Sequence, residues 1–372
     1  MQARANSDKR ICPLAFPDHR LDMSGSHIAD NFRDIAQSLH ELGLLGDGEQ
    51  LAFAPLSGGV SCDVWLVDVK RRPPVVVKRP LGKLRVAADW HAPVARSESE
   101  VDWILLASEV DPRLVPKVIG QDKARHLFVM EYLPRENYPV WKDHLLAGEV
   151  DVAFARSVGS WLARLHAATA RSPAIARRFA NQHQFHVLRL EAYLLHSAEK
   201  HPDIAQQIRA LVESVAHAHI ALMQGDVSPK NILIGPETPV FIDAETACYG
   251  DPAFDLAFCL NHLLLKCMVH PEAALRYADA FNALKEAYLE EANWEMREHL
   301  DARAVRLLGA LLLARIDGRS PVEYLTDDRR RSFVRETAKG FIAHSPPDLA
   351  ALLDAWTSAV AAYFAGTGSR SL

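Results

Sequence analysis

Residues 224–245, which read QGDVSPKNILIGPETPVFIDAE, constrain the fold more than any other stretch of the chain. Two short apolar runs, ILI and VFI, flank the turn residues Gly235 and Pro236. This pattern predicts a β-hairpin with strands over 231–234 and 240–242. A hairpin lays its two ends side by side. Asn231 at one end and Asp243 at the other are therefore neighbours in space, although twelve positions separate them. Asp226 stands five positions before the asparagine, in the loop that leads into the first strand.

That arrangement has a chemistry. One carboxylate and one amide oxygen suit Mg²⁺, which keeps the rest of its shell for water and phosphates. Asp226 is placed to take the proton of an attacking hydroxyl. The D-x-x-x-x-N spacing followed by a metal-binding aspartate is the pattern of a kinase catalytic loop. Asp and Asn are common turn formers, so the spacing alone is weak. A preceding helix, a following strand and an aspartate at the strand end give it weight.

The rest of the chain changes period near Pro134. Residues 1–25 read as an extension. Helical spacing over 26–42 aligns Ile28, Phe32, Ile35, Leu39 and Leu42, with Ser26 as the candidate cap. Residues 51–56, 62–69 and 75–78 read as strands, and 93–108 as a helix with Val94, Val101, Ile104 and Leu105 inward. HLFVMEYL, residues 126–133, reads as a buried strand. Beyond Pro134 the periodicity is helical over 152–169, 201–223 and 255–269, then between 271 and 314, and again from 321 onward. The expectation is an α+β, two-lobed protein: extension 1–25, β-rich N-lobe 26–133 binding the nucleotide, and helical C-lobe 134–372 carrying the catalytic loop and acceptor site. A length of 372 residues is consistent with more than one core.

Lys78 ends the run Val75-Val76-Val77, an odd place for a solvated charge unless it snorkels from a strand edge. As a phosphate-binding lysine it needs a carboxylate from the following helix. Glu100 shares a face with Trp103, Ile104 and Ala107, whereas Glu98, its rival, lies on another. Ser57, Gly58 and Gly59 sit between two strands, where a backbone without Cβ atoms can approach phosphate oxygens; a plain hairpin turn reads equally well. Neither G-x-x-x-x-G-K-[ST] nor G-x-G-x-x-G is present.

The net charge of -5 gives no pull toward nucleic acid or anionic membrane. The apolar segments 255–269 and 305–314 are too short to span a bilayer. The first ten residues lack the apolar stretch of a secretory leader. Five cysteines without a C-x-x-C pair read as reduced thiols, with Cys248, Cys259 and Cys267 as small hydrophobes. A cytoplasmic protein is expected, without nucleic-acid or membrane partners; no motif speaks to its oligomeric state.

GDVSPKNIL, VFIDAE and GDPAFDLA resemble the aminoglycoside phosphotransferase and choline kinase superfamily, small-molecule kinases with a protein-kinase-like fold. The resemblance covers roughly residues 51–265 and implies a five-stranded N-lobe, a hinge at 130–133 and a helical C-lobe. It implies ATP and Mg²⁺, with Asp226 as base and Asn231 and Asp243 on the metal. Lys78 would hold phosphate and pair with Glu100, while Glu131 and Leu133 would offer backbone groups to adenine. Glu245 is expected to assist at the metal or acceptor, and Asp255 to brace the loop. Gln224 and Ser228 stand where many members have histidine. The implied acceptor is a small-molecule hydroxyl, on an amino sugar, an aminoglycoside, a methylthioribose-like compound or another metabolite. WKDHLLAG and CYGDPAFD are also similar to the methylthioribose kinase branch.

Other readings compete. A non-catalytic nucleotide-binding module predicts loss of Lys78, Asp226, Asn231 or Asp243, yet all are present. A protein kinase needs a longer segment than the seven residues from Asp243 to Gly250. His183, His186, His196 and His201 lack zinc spacing and read as a wet surface, and His166 as a packing histidine. Arg315 and Asp317 invite a role, although Ser320-Pro321-Val322-Glu323 reads as a capping box beside them. Glu286, Glu290, Glu291, Glu295 and Glu298 form a mild acidic excess that would suit a cationic acceptor, or else a solvated helix face.

Overall fold

In the computed structural model, which describes residues 26–56, 60–85 and 90–368, the apolar runs of the first third pair into one antiparallel sheet. Its strands are β1 (Leu51–Pro55), β2 (Cys62–Val69), β3 (Val75–Pro80), β4 (Val118–Asp122) and β5 (Leu127–Glu131), in the order β1-β2-β3-β5-β4. Side chains alternate between the two faces. Val67, Val77, Leu127 and Val129 share one cluster with Ile35 and Leu39 of α1 (Ser26–Glu41). Lys78, one position on, turns to the other face opposite Phe128, toward α2 (Arg96–Val110). Strand β4 has no sequence signature. It is five residues long and its register slips between Val118 and Gly120, which erases the alternation a reader would use.

Helix α2 buries Glu100, Val101, Trp103, Ile104 and Ala107. Leu105, expected inward, is exposed, because it lies three and four positions from Asp102 and Glu109 on the solvent side.

The remaining chain is helical except around the hairpin. It runs through α3 (Trp141–Leu146), α4 (Val152–Thr169), α5 (Pro173–Arg178) and α6 (Gln182–Phe185). A π-helical stretch, His186–Leu195, continues into α7 (His196–Lys200), and α8 (Ala205–His217) follows. The helix expected over 201–223 is shorter than its periodicity implied. Residues Ala221–Met223 form β6, ahead of the hairpin β7 (Ile232–Ile234) and β8 (Pro239–Phe241), and pair with β9 (Cys248–Gly250). Three apolar residues carry no period, so only the distant partner strand decides between helix and strand. Then come α9 (Ala253–Lys266), α10 (Ala274–Glu291), α11 (Arg297–Asp317), α12 (Asp328–Ala343) and α13 (Leu349–Gly368).

Ser320-Pro321-Val322-Glu323 does not start a helix. The Ser320 carbonyl accepts from Arg315, Glu323 pairs with Lys142, and α12 begins later with Asp327 accepting from the Arg330 N–H. Tertiary partners have taken the groups that a capping box would use. Among the described residues α13 is the helix long and apolar enough to cross a membrane by length and composition. Its Leu349, Leu352, Leu353, Trp356 and Val360 are buried.

Helix α9 is buried along its whole length, as a helix with apolar residues on every face must be. Its last residue, Lys266, is nonetheless a base with no exposure, and its Nζ has no hydrogen-bond partner among the described residues. Burial, with Lys142 nearby, holds this ammonium down to about 7 against an ordinary 10.5. The unfolded chain therefore binds the extra proton between those values, and stability rises with pH across that window. Lys266→Met is expected to stabilise the chain by about 1–4 kcal/mol near pH 6, with the gap closing toward pH 9. Urea midpoints of both proteins at the two pH values measure this; a gap that ignores pH would show that Lys266 stays charged.

Candidate active site

Asp255, in the first turn of α9 and fully buried, anchors the loop before the hairpin. Its Oδ2 accepts the N–H of Gln224 at 2.7 Å and its Oδ1 that of Gly225 at 2.9 Å. His166 of α4 is no metal ligand: it bridges the same carboxylate at 3.3 Å and the Tyr288 hydroxyl at 2.7 Å. Gly225 makes the turn with φ at +78°, and a Cβ there would stand 2.6 Å from Thr246 Oγ1 and 2.8 Å from the Thr246 carbonyl oxygen. Gly225→Ala is expected to cost about 1–3 kcal/mol of stability and to displace Asp226. A variant matching the parent in both urea midpoint and turnover would disprove this.

The Gln224 amide binds the two loops together. Its oxygen accepts the Asp226 N–H at 2.7 Å, and its nitrogen donates to the carbonyls of Ile242 at 2.8 Å and Asp243 at 3.3 Å. An amide offers both an acceptor and two donors, so this position works without an imidazole.

Asp226 Oδ2 is crowded with donors: Asn231 Nδ2 at 2.7 Å, Arg189 at 3.1 Å and Lys230 at 3.2 Å. Asp226 Oδ1 is buried and has no partner among the described residues. Asn231 also donates to the Asp226 carbonyl at 3.0 Å, which commits its nitrogen and turns its amide oxygen away from that bond. The Ile242 N–H reaches the Asn231 carbonyl at 3.0 Å and closes the hairpin, bringing Asp243 alongside. Asp243 has φ of +65°, a left-handed conformation uncommon outside glycine and one found at functional loops.

Lys78 Nζ lies 2.7 Å from Glu100 Oε1 and 2.5 Å from Asp243 Oδ1. Burial opposes the Lys78 charge, but Asp243 and Glu100 together raise its pKa well above the ordinary value. Asp243 titrates below the usual carboxylate range: burial raises it, and Lys78 and Lys230 more than reverse that. Burial pushes Glu100 up against the pull of Lys78. Glu98 is not the partner; it meets His126 at 3.9 Å near the surface.

The amide oxygen of Asn231 and the carboxylate of Asp243 are hard donors of the kind that fits Mg²⁺. No group of three His, Cys, Asp or Glu ligands exists among the described residues. The protein thus contributes a partial shell, which is what an ion that keeps waters and phosphates requires. Lys78, Glu100, Glu131, Leu133, Asn231 and Asp243 line one cleft of about 420 Å³, large enough for a small ligand. The Glu131 N–H is committed to the Lys117 carbonyl at 2.9 Å. Ser57, Gly58 and Gly59 lie outside the described residues.

Residues 52–295 match the phosphotransferase enzyme family APH. The chain belongs to this family. A solved structure that shares the fold is an amicoumacin kinase, hAmiN, in complex with AMP-PNP, Ca²⁺ and Ami, at 13% identity and a TM-score of 0.53, covering 87% of this chain and 98% of that one. A Plasmodium vivax ethanolamine kinase matches at 13% identity and a TM-score of 0.49, over 91% of this chain and 89% of its own. A choline/ethanolamine kinase family protein from Mesorhizobium loti matches at 15% and 0.48, over 87% and 98%. At 13% identity the likeness to the amicoumacin kinase is one of fold alone. No curated protein matches the chain.

Several residues of the phosphotransferase site had no reading in the sequence. Arg96 is wholly buried, and its Nε donates to Glu245 Oε2 at 2.8 Å while Cys62 Sγ lies 3.3 Å from the same oxygen. Glu245, expected at the metal or acceptor, is thereby engaged as a strut. Arg189 had one visible signal, a lone base in the apolar run HVLRLEAYLL. Lys230 had none, since a lysine in a loop is ordinarily solvated. Asp317 turns out to tie helices together, accepting from His201 at 2.9 Å and from Arg335 at 2.6 Å.

Proposed function

We propose that this phosphotransferase moves the γ-phosphoryl group of ATP to a hydroxyl of a small molecule. The observation that carries the reading is Asp226 Oδ1, a buried acceptor with no donor, beside Asn231 and Asp243. Such an atom is costly to leave unsatisfied, and a substrate hydroxyl is the donor it lacks. The hydroxyl oxygen attacks the γ-phosphorus, the bond to the β,γ-bridging oxygen breaks, the proton passes to Asp226 and ADP leaves. Lys78, oriented by Glu100, holds the α- and β-phosphates, and Glu131 and Leu133 bound the adenine side. Ser57, Gly58 and Gly59 are assigned to the phosphates through their backbone. Asn231 and Asp243 would hold Mg²⁺, whose charge neutralises the phosphates during transfer. No covalent enzyme intermediate is needed; alignment and charge carry the rate.

The lobes 26–133 and 134–372 divide the work between nucleotide and acceptor. Against a non-catalytic module stands the convergence of Lys78, Glu100 and Asp243 on one ion-pair network. The test is Mg²⁺-dependent ADP production from ATP across hydroxylated metabolites and aminoglycosides. Acceptor-dependent ADP release supports the reading. Failure to bind Mg·AMP-PNP in a calorimeter would end it.

A further inference from the structure

The helical wall next to Asp226 is rich in cations. Arg189 and Arg315 lie over the same Tyr193 ring, at 5.5 and 5.4 Å, and Arg315 donates to its hydroxyl at 3.1 Å. Lys266 lies 4.8 Å over the Tyr324 ring, whose hydroxyl meets His262 Nδ1 at 3.1 Å. Lys142 and Lys230 line the cleft itself. Asp226 faces Arg189 and Lys230, Glu323 faces Lys142, and Asp143 and Asp243 line the cleft beside Lys142 and Lys230. Lys266 Nζ, Arg315 Nε and His262 Nε2 are buried without a hydrogen-bond partner among the described residues. Burial first, and then the neighbouring Arg315, Lys266, Lys230 and Lys142, hold the His262 imidazole well below its ordinary value.

The acidic excess between 271 and 303 is no counterweight. Glu286 pairs with Arg297, Glu290 with Arg156, Glu291 with Arg164 and Glu295 with Arg303. These carboxylates are occupied by arginines, so they offer little to a cationic acceptor.

We propose that the acceptor bears an anionic group, a carboxylate or a phosphate ester, held by Lys142 with Lys266 and Arg315 behind it, while its hydroxyl faces Asp226. The hydroxyl half rests on the phosphotransfer reading; the anion site does not.

The experiment uses the full chain labelled with ¹³C,¹⁵N-lysine and saturated with Mg·AMP-PNP, so that nucleotide phosphates are already in place. Malonate, inorganic phosphate and spermidine are titrated separately at matched ionic strength. The Lys142 and Lys266 signals are assigned with Lys142→Met and Lys266→Met. Saturable shifts of both signals with malonate or phosphate are expected, and the anion that produces them identifies carboxylate or phosphate as the group. Arg315→Met should weaken that binding about tenfold. Shifts no larger than those of chloride, or shifts with spermidine alone, overturn the inference. A parallel assay compares turnover of glycerol, D-glycerate and glycerol 3-phosphate, where preference for the charged pair supports it and preference for glycerol counts against it. Anion binding without any nucleotide binding would sink the phosphotransfer reading and leave the anion site standing.

Discussion

Asp226→Asn is expected to lower phosphoryl transfer about 10²–10⁴-fold, the usual worth of a positioned general base. The substitution is close to isosteric. With its amide oxygen in the place of Oδ2, the asparagine still accepts from Asn231 and Arg189, and the loop keeps its anchors on Asp255 and Gln224. What disappears is the carboxylate that takes the proton. Affinity for Mg·AMP-PNP should therefore stay within about threefold of the parent, since the base acts on the acceptor and not on the nucleotide. Steady-state turnover with calorimetry on the same preparation separates the two. If more than about a tenth of the activity survives, Asp226 is not the base.

Arg96→Met is expected to destabilise the chain by about 3–5 kcal/mol, the range seen when one partner of a buried ion pair is removed. The guanidinium has no exposure. Besides Glu245 it serves the carbonyls of Ser61 at 2.6 Å, Leu81 at 2.8 Å and Pro93 at 2.8 Å. Methionine matches the stem but removes every guanidinium donor, leaving Glu245 Oε2 with the Cys62 thiol and the Leu81 carbonyl without its bond to Arg96. Arg96→Lys should fall between, because an ammonium keeps the charge and loses the planar fork. Urea denaturation of the three proteins measures it. A loss below about 1 kcal/mol in the methionine variant would mean that water replaces the arginine. Because Arg96 joins the end of β3, the start of β2 and the segment after Asp243, turnover should fall as well.

Much of the fold was legible because its signals are local. The valine run of β3, the inward stripe of α2 around Glu100 and the full extent of α4 all follow from periodicity. The misreadings share a cause. β6 and β9 are three residues each, too short to carry a period, and the Ser320 pattern was overridden by Arg315 and Lys142. The contact between Arg96 and Glu245 went unread because nothing near either residue in the chain announces the other.

The sequence by itself determined the approach of Asn231 and Asp243, since a hairpin with a short turn brings its own ends together whatever surrounds it. It also determined that Lys78 would face away from the Val77 side, because alternation in a strand is obligatory. Only the tertiary structure decided which carboxylates that lysine meets, and that Arg96 meets Glu245 from 149 positions away. It alone assembled the cations of α3, α9 and α11 into one wall. Those contacts join elements whose relative placement depends on packing of the whole core, and no spacing along the chain encodes them.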